Sequence, residues 1–81
     1  MHLNPNATVG HDCVIGDFVT VSPGANVSGN VRLGDGVLIG AGAVLIQGVS
    51  VGEDTVIGAG AVVTKDIPAG VVAIGTPARP R

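Results

Sequence analysis

The residues of this chain that could do chemistry are few, and three of them are consecutive: His11, Asp12 and Cys13, in the segment TVGHDCVIGD. A histidine can act as a general base near neutral pH, and an adjacent carboxylate can fix the tautomer of its ring and stabilise the imidazolium that forms. The same histidine could instead bind a metal, or be a polar residue at a bend with no chemical role. The composition of the chain and the position of His11 in its repeat are used below to choose between these three interpretations.

The metal and thiol interpretations have little support in the composition. The chain contains two histidines, His2 and His11, and one cysteine, whereas a zinc-type site needs three or four protein ligands. The two histidines fall at different positions of the repeat described below, so we expect no metal site. Cys13 falls at an inward position of that repeat, so we expect a small buried side chain and not a nucleophile.

The composition also favours repetitive β structure and excludes several classes of partner. Of 81 residues, 14 are glycine and one, Phe18, is aromatic, so small and β-branched side chains must fill the core. A net charge of −2 with four Lys and Arg gives no basic surface for nucleic acid or an anionic membrane. No apolar run approaches the roughly 20 residues of a membrane span and no signal-peptide pattern opens the chain, so we expect a cytoplasmic protein.

An aliphatic residue recurs at every sixth position along most of the chain. A small or apolar residue precedes each of these by two positions, and residues two apart share one side of a strand. Each unit therefore predicts a short strand with two inward side chains, followed by a bend rich in Gly, Asn and Asp, which tolerate a positive φ. The inward series are Leu3, Val9, Ile15, Val21, Val27, Leu33, Ile39, Leu45, Val51, Ile57 and Val63, and Ala7, Cys13, Val19, Ala25, Val31, Val37, Ala43, Val49, Thr55, Ala61 and Ile67.

The repeat over residues 3–68, with the motifs HDCVIGD, IGAGAVVTKDIPAG and GTPAR, resembles the hexapeptide repeat of left-handed parallel β-helix acyltransferases. Within that group the chain resembles the C-terminal β-helix of sialic acid O-acetyltransferases and nucleotide-amino-sugar N-acetyltransferases. The resemblance implies an all-β fold in which three six-residue sides form one triangular coil, with three to four coils over residues 1–68. Residues 69–81, where the period breaks, are expected to form an irregular C-terminal cap on the same domain.

A coil of eighteen residues sorts the bends into three columns, which we call corners. The acidic corner carries an acid in every coil and is assigned no chemistry; it contains residues 16–18, 34–36 and 52–54. The small-residue corner, residues 22–24, 40–42 and 58–60, is flanked by the outward residues Leu38, Val56, Val44 and Val62. Apolar residues outside a narrow prism need a cover, so we expect this corner to pack against sister subunits in a homotrimer. The His11 corner contains residues 10–12, 28–30, 46–48 and 64–66, and places Gly29 one coil below His11.

The resemblance also implies roles for individual residues. His11 matches the general base of the family, Asp12 matches the acid that supports it, and Gly29 matches the backbone N–H that stabilises negative charge on the thioester oxygen. The acyl donor implied is acetyl-CoA, lying along a groove between two subunits. The residues at positions that match its contacts, or that supply positive charge for its phosphates, are Thr20, Gly29, Ala41, Ala59, Lys65 and Arg79.

Two functions of different classes follow from these observations. The first is an acetyl-CoA-dependent acetyltransferase acting on a sugar or nucleotide-linked amino sugar, with His11 as general base at a subunit interface. The second is a trimeric structural module, or an excised or engineered β-helix core, that binds CoA without turnover. His11, Asp12 and Gly29 favour the first, whereas the lack of the small α/β domain that precedes the β-helix in such transferases favours the second.

Overall fold

Each six-residue unit forms a strand of two residues, because an inward aliphatic residue and the outward residue before it suit an extended backbone and the following bend ends the strand. The computed structural model describes residues 1–81, and all of its regular structure is β. It contains no apolar helix of membrane-spanning length. The strands are β1 (His2–Leu3), β2 (Thr8–Val9), β3 (Val14–Ile15), β4 (Thr20–Val21), β5 (Asn26–Val27), β6 (Arg32–Leu33), β7 (Leu38–Ile39), β8 (Val44–Leu45), β9 (Ser50–Val51), β10 (Val56–Ile57), β11 (Val62–Val63), β12 (Val72–Ile74) and β13 (Arg79–Pro80).

The strands of the repeat stack in parallel into three sheets that enclose a triangular prism. Sheet A has the order β1-β4-β7-β10-β12-β13, sheet B the order β2-β5-β8-β11, and sheet C the order β3-β6-β9. Strands of the repeat pair with partners eighteen positions along the chain, as Val21 does with Ile39 and Val27 with Leu45. The architecture is a left-handed β-helix of about four turns, which confirms the fold that the resemblance implies.

The inward residues form one continuous apolar core along the axis of the prism. Both predicted series contribute to it, and in the central coils most members are at most 5% exposed. The one buried polar side chain is Thr55, whose hydroxyl donates a hydrogen bond to the Pro68 carbonyl at 2.7 Å. Since neighbouring coils place side chains of similar size over one another, the core fills without any large aromatic residue.

The bends turn sharply because the third residue of most corners has a left-handed backbone. Five non-glycine residues have φ near +60°: Asn6, Asp12, Phe18, Asn30 and Asp54. Glycine occupies most of the equivalent positions elsewhere. Asn and Asp are the residues that tolerate this conformation best after glycine, which explains why they recur at the ends of the bends.

The C-terminal segment closes the lower end of the prism with more regular structure than its sequence suggests. Strand β12 continues sheet A in parallel, but Val56 pairs with Val72, sixteen residues along, so the last coil is shorter by two residues. Strand β13 then pairs antiparallel to β12. The Val62 N–H donates to the Gly75 carbonyl and the Ala78 N–H to the Val62 carbonyl, so the segment also satisfies backbone groups of sheet B.

A matched pair of valines tests the assignment of inward and outward residues. Val21 is 0% exposed and Val14 is 59% exposed. We expect Val21→Ala to lower the free energy of unfolding by about 2–3 kcal/mol, from lost burial and the cavity left behind. We expect Val14→Ala to change it by less than about 0.5 kcal/mol. Equal losses in urea denaturation would contradict the packing described here.

Candidate active site

His11 and Asp12 form a hydrogen-bonded pair on the corner where sheets B and C meet. The His11 Nδ1 lies 3.2 Å from the Asp12 Oδ2. Because a carboxylate can only accept a hydrogen bond, Nδ1 is the donor of this pair, and in the neutral ring Nε2 then has a free lone pair. The His11 side chain is 78% exposed and that of Asp12 80%, so the pair lies on the surface of the chain. A histidine and a carboxylate in this arrangement can act as a general base and its supporting acid.

Gly29 lies directly beneath the imidazole ring. A Cβ atom at this glycine would lie 3.1 Å from the His11 Cε1 and 3.2 Å from its Nε2. The two coils are tied here by the Asn30 N–H, which donates to the His11 carbonyl at 2.9 Å. The Gly29 N–H donates no hydrogen bond within the chain. The ring therefore lies over a bare Cα next to an unpaired backbone donor, as the eighteen-residue period predicts.

Asp12 has a structural reason for its identity as well as a chemical one. Its φ of 57° lies in the left-handed region, which Asp adopts more readily than most residues. The same conformation occurs at Asn30, one coil below, with no histidine beside it. Asp12 is thus compatible with the bend, and its carboxylate also reaches the His11 ring. The hydrogen bond to His11 Nδ1 is what distinguishes Asp12 from Asn30, which has the same backbone conformation.

Cys13 belongs to the interior and not to the site. It is partly buried and packs against the apolar core. Its Sγ donates a hydrogen bond to the Ser28 carbonyl at 3.2 Å, on the inner side of the bend that carries His11. This geometry matches the inward position that the repeat predicts.

Known proteins are similar to this chain in sequence and fold. The bacterial transferase hexapeptide (six repeats) family matches residues 30–65. The structure of WeeI from Acinetobacter baumannii AYE matches 99% of this chain with 47% identity and a TM-score of 0.96. The acetyltransferase domain of PglB from Neisseria gonorrhoeae FA1090, solved in complex with acetyl coenzyme A, matches 95% of this chain with 48% identity and a TM-score of 0.93. The chain is a hexapeptide-repeat protein with the fold of these acetyltransferase structures.

A third similar structure, and the length of the matched proteins, limit what the comparisons say about this chain. GDP-perosamine N-acetyl transferase from Caulobacter crescentus, in complex with CoA and GDP-perosamine, matches 99% of this hexapeptide-repeat protein with 34% identity and a TM-score of 0.66. No curated protein sequence matches the chain. The chain spans 40% of the length of WeeI, 38% of the PglB domain and 50% of the perosamine transferase.

The structure brings some of the expected site residues together and leaves others apart. His11, Asp12 and Gly29 share one corner, and Lys65 lies on the same corner three coils below His11. The other residues expected to contact the acyl donor lie elsewhere on this hexapeptide-repeat protein: Thr20 on β4 of sheet A, Ala41 and Ala59 on the small-residue corner, and Arg79 on β13. One chain therefore does not gather all of these residues into a single groove.

The cavity of the chain lies away from His11. It has a volume of about 530 Å³ and lies at the first coil, beside the acidic corner; its lining residues are Met1, His2, Asp17, Phe18, Val19 and Thr20. Of the expected site residues only Thr20 reaches it. We take the His11 corner as the candidate site because the hydrogen-bonded His11 and Asp12 lie there. The structure gathers no group of three or more His, Cys, Asp or Glu side chains that could hold a metal ion.

One polar pair near His11 was not singled out from the sequence. Thr8 and Asn26 face outward on sheet B, and the Thr8 hydroxyl donates to the Asn26 Oδ1 at 2.7 Å. Their spacing could have predicted this contact. The two residues are eighteen apart, as His11 and Gly29 are, and positions eighteen apart stack on neighbouring coils. They head a column of outward side chains whose lower members, Val44 and Val62, are apolar.

Proposed function

We propose that this chain transfers an acetyl group from acetyl-CoA to a hydroxyl or amine of a sugar or nucleotide-linked amino sugar. The observation that carries the proposal is the position of the His11 ring, with Nδ1 on the Asp12 carboxylate and Nε2 over the bare Cα of Gly29. The ligands bound in two similar structures support the substrate classes, since the PglB domain was solved with acetyl coenzyme A and the perosamine transferase with CoA and GDP-perosamine. The proposal places the protein in the cytoplasm, where acetyl-CoA is available.

In the proposed reaction, the acceptor oxygen or nitrogen attacks the thioester carbonyl while the His11 Nε2 takes its proton. Asp12 accepts the Nδ1 hydrogen and stabilises the imidazolium. The Gly29 N–H donates a hydrogen bond to the oxyanion of the tetrahedral intermediate. When the intermediate collapses, the C–S bond breaks, the acetyl group stays on the acceptor, and the imidazolium returns its proton to the CoA thiolate. No covalent enzyme intermediate is required.

The proposed enzyme is a homotrimer whose sites are completed between subunits. The outward residues Leu38 and Val56 beside the small-residue corner are 40% and 36% exposed, and a neighbouring subunit would cover them. The small-residue corner, with Ala41 and Ala59, would then line one side of a groove for acetyl-CoA. Lys65 and Arg79, near the C-terminal end of the prism, would neutralise its phosphates, and residues 69–81 would cap that end.

Transfer and assembly by the purified chain test this proposal. With acetyl-CoA and a panel of nucleotide-linked amino sugars, we expect release of CoA thiol that depends on the acceptor, and light scattering should give the mass of three chains. A trimer that binds acetyl-CoA but acetylates no acceptor would instead support the structural module without turnover. A chain that binds no acetyl-CoA would contradict both functions.

A further inference from the structure

The chain has two hydrogen bonds between side chains, and both lie in its first two coils. One joins His11 to Asp12, and the other joins the Thr8 hydroxyl to the Asn26 Oδ1 at 2.7 Å. Thr8 precedes His11 by three residues and Asn26 precedes Gly29 by three, so the second pair lies on the strands of sheet B that lead into the His11 corner. Thr8 and Asn26 are both exposed, so this hydrogen-bonded pair lies on the open surface of sheet B beside the proposed base.

The Thr8 bond fixes which way the Asn26 carboxamide points. Because the Asn26 oxygen accepts the Thr8 hydroxyl, the amide nitrogen and its two hydrogens face away from Thr8. The residue paired with Asn26 on the coil below is Val44, which offers no side-chain acceptor. The Asn26 Nδ2 has no partner in the chain. The pair therefore presents an oriented hydrogen-bond donor at a fixed place beside the site.

We propose that the Asn26 Nδ2 donates a hydrogen bond to the pantetheine amide carbonyl nearest the thioester of acetyl-CoA, and that Thr8 is the positioning residue for this donor. The inference rests on the proposed acetyl transfer, because the acetyl group must then lie at Gly29. Three residues of extended chain separate Asn26 from Gly29, about 10 Å along the strand. A short linker of two methylenes and a nitrogen separates the thioester sulfur from that carbonyl, so the two contacts suit successive groups of one arm.

The surface below Asn26 favours the acyl donor over the sugar acceptor. Val44 and Val62 continue the column down sheet B and are half-buried. The pantetheine arm consists of methylene and dimethyl groups with amides between them. It therefore suits a surface with one amide donor, Asn26, above two valines. A sugar has many hydroxyl groups, which would find no hydrogen-bond partners on those valines. The pantetheine carbonyl oxygen can only accept a hydrogen bond, so it needs a donor such as the Asn26 Nδ2.

Asn26→Asp tests the donor with almost no change of shape. The carboxylate still accepts the Thr8 hydroxyl, but an oxygen replaces the donating nitrogen and repels a carbonyl. We expect the Kd and KM for acetyl-CoA to rise about tenfold or more, with kcat at saturating acetyl-CoA and the KM for the acceptor within about twofold of wild type.

Thr8→Val should raise the same constants about two- to tenfold, and Thr8→Ser should restore them. Asn30→Asp adds the same charge at a nearby bend and should leave acetyl-CoA binding within about twofold of wild type.

Each other result overturns the inference in a recognisable way. If wild-type protein binds acetyl-CoA and Asn26→Asp binds it equally well, the inference is wrong and the proposed function stands. If the KM for the acceptor rises instead, Asn26 belongs to the acceptor site. If light scattering shows that Asn26→Asp loses the wild-type assembly, Asn26 is an interface residue and not a ligand contact. If wild-type protein binds no acetyl-CoA, the proposed function fails together with the inference.

Discussion

Replacement of His11 by alanine is expected to lower the rate of acetyl transfer by about 10²- to 10⁴-fold, the usual contribution of a positioned general base. The loss should fall on kcat and not on the affinity for acetyl-CoA, because in the proposed mechanism the ring takes a proton from the acceptor and does not hold the rest of the donor. The measurement is release of CoA thiol at saturating acetyl-CoA and acceptor. Isothermal titration with acetyl-CoA gives the binding constant separately.

The chain offers an internal control for this variant. His2 is its other histidine, exposed on β1 and bonded to no side chain, so His2→Ala should transfer acetyl at the wild-type rate. His11 is 78% exposed and its side chain bonds only to Asp12, so His11→Ala should also unfold at the wild-type denaturant concentration. An unchanged rate in a folded His11→Ala protein would remove the histidine from the mechanism.

The fold could be read from the sequence because each six-residue unit repeats one simple constraint. Val9, Val27, Leu45 and Val63 stack in sheet B with the register that their spacing gives. A slip of one residue would turn these side chains to solvent, so the period fixes the register. The left-handed wrap came from resemblance to a family, since periodicity does not determine the hand of a coil. After Val63 the period fails, and β12 and β13 depend on contacts that no repeat encodes.

The site was predictable to the extent that it depends on the same register. Positions eighteen apart stack, so the sequence places His11 above Gly29, and the structure shows the ring over the Cα of that glycine. The orientation of each side chain was not predictable: the bond between Thr8 and Asn26 depends on rotamers, which spacing does not specify. The assignment of Thr20, Ala41, Ala59, Lys65 and Arg79 to acetyl-CoA stays a prediction, because it depends on how subunits meet.

The bare Cα of Gly29 is expected to be as important to the reaction as the ring above it. In Gly29→Ala, the added Cβ would lie 3.1 Å from the His11 Cε1 and 3.2 Å from its Nε2, closer than most such contacts allow. The backbone at Gly29 has no positive φ, and the nearest backbone atom, the His11 carbonyl oxygen, would lie at an ordinary 3.4 Å. The exposed ring is therefore the group that moves. A shift of about 1 Å in a catalytic group can cost about 10²-fold in rate, so we expect a loss of that size with little loss of stability.

A double-mutant cycle separates displacement of the ring from a direct effect of the methyl group on the substrate. If Gly29→Ala acts through His11, it should lower the rate about 10²-fold in the wild-type protein and far less in the His11→Ala background, because the displaced group is already absent. Equal losses in both backgrounds would mean that the methyl group blocks the thioester itself or disturbs the Gly29 N–H that is proposed to hold the oxyanion. A Gly29→Ala protein with the full wild-type rate would show that the ring does not act from its position over Gly29.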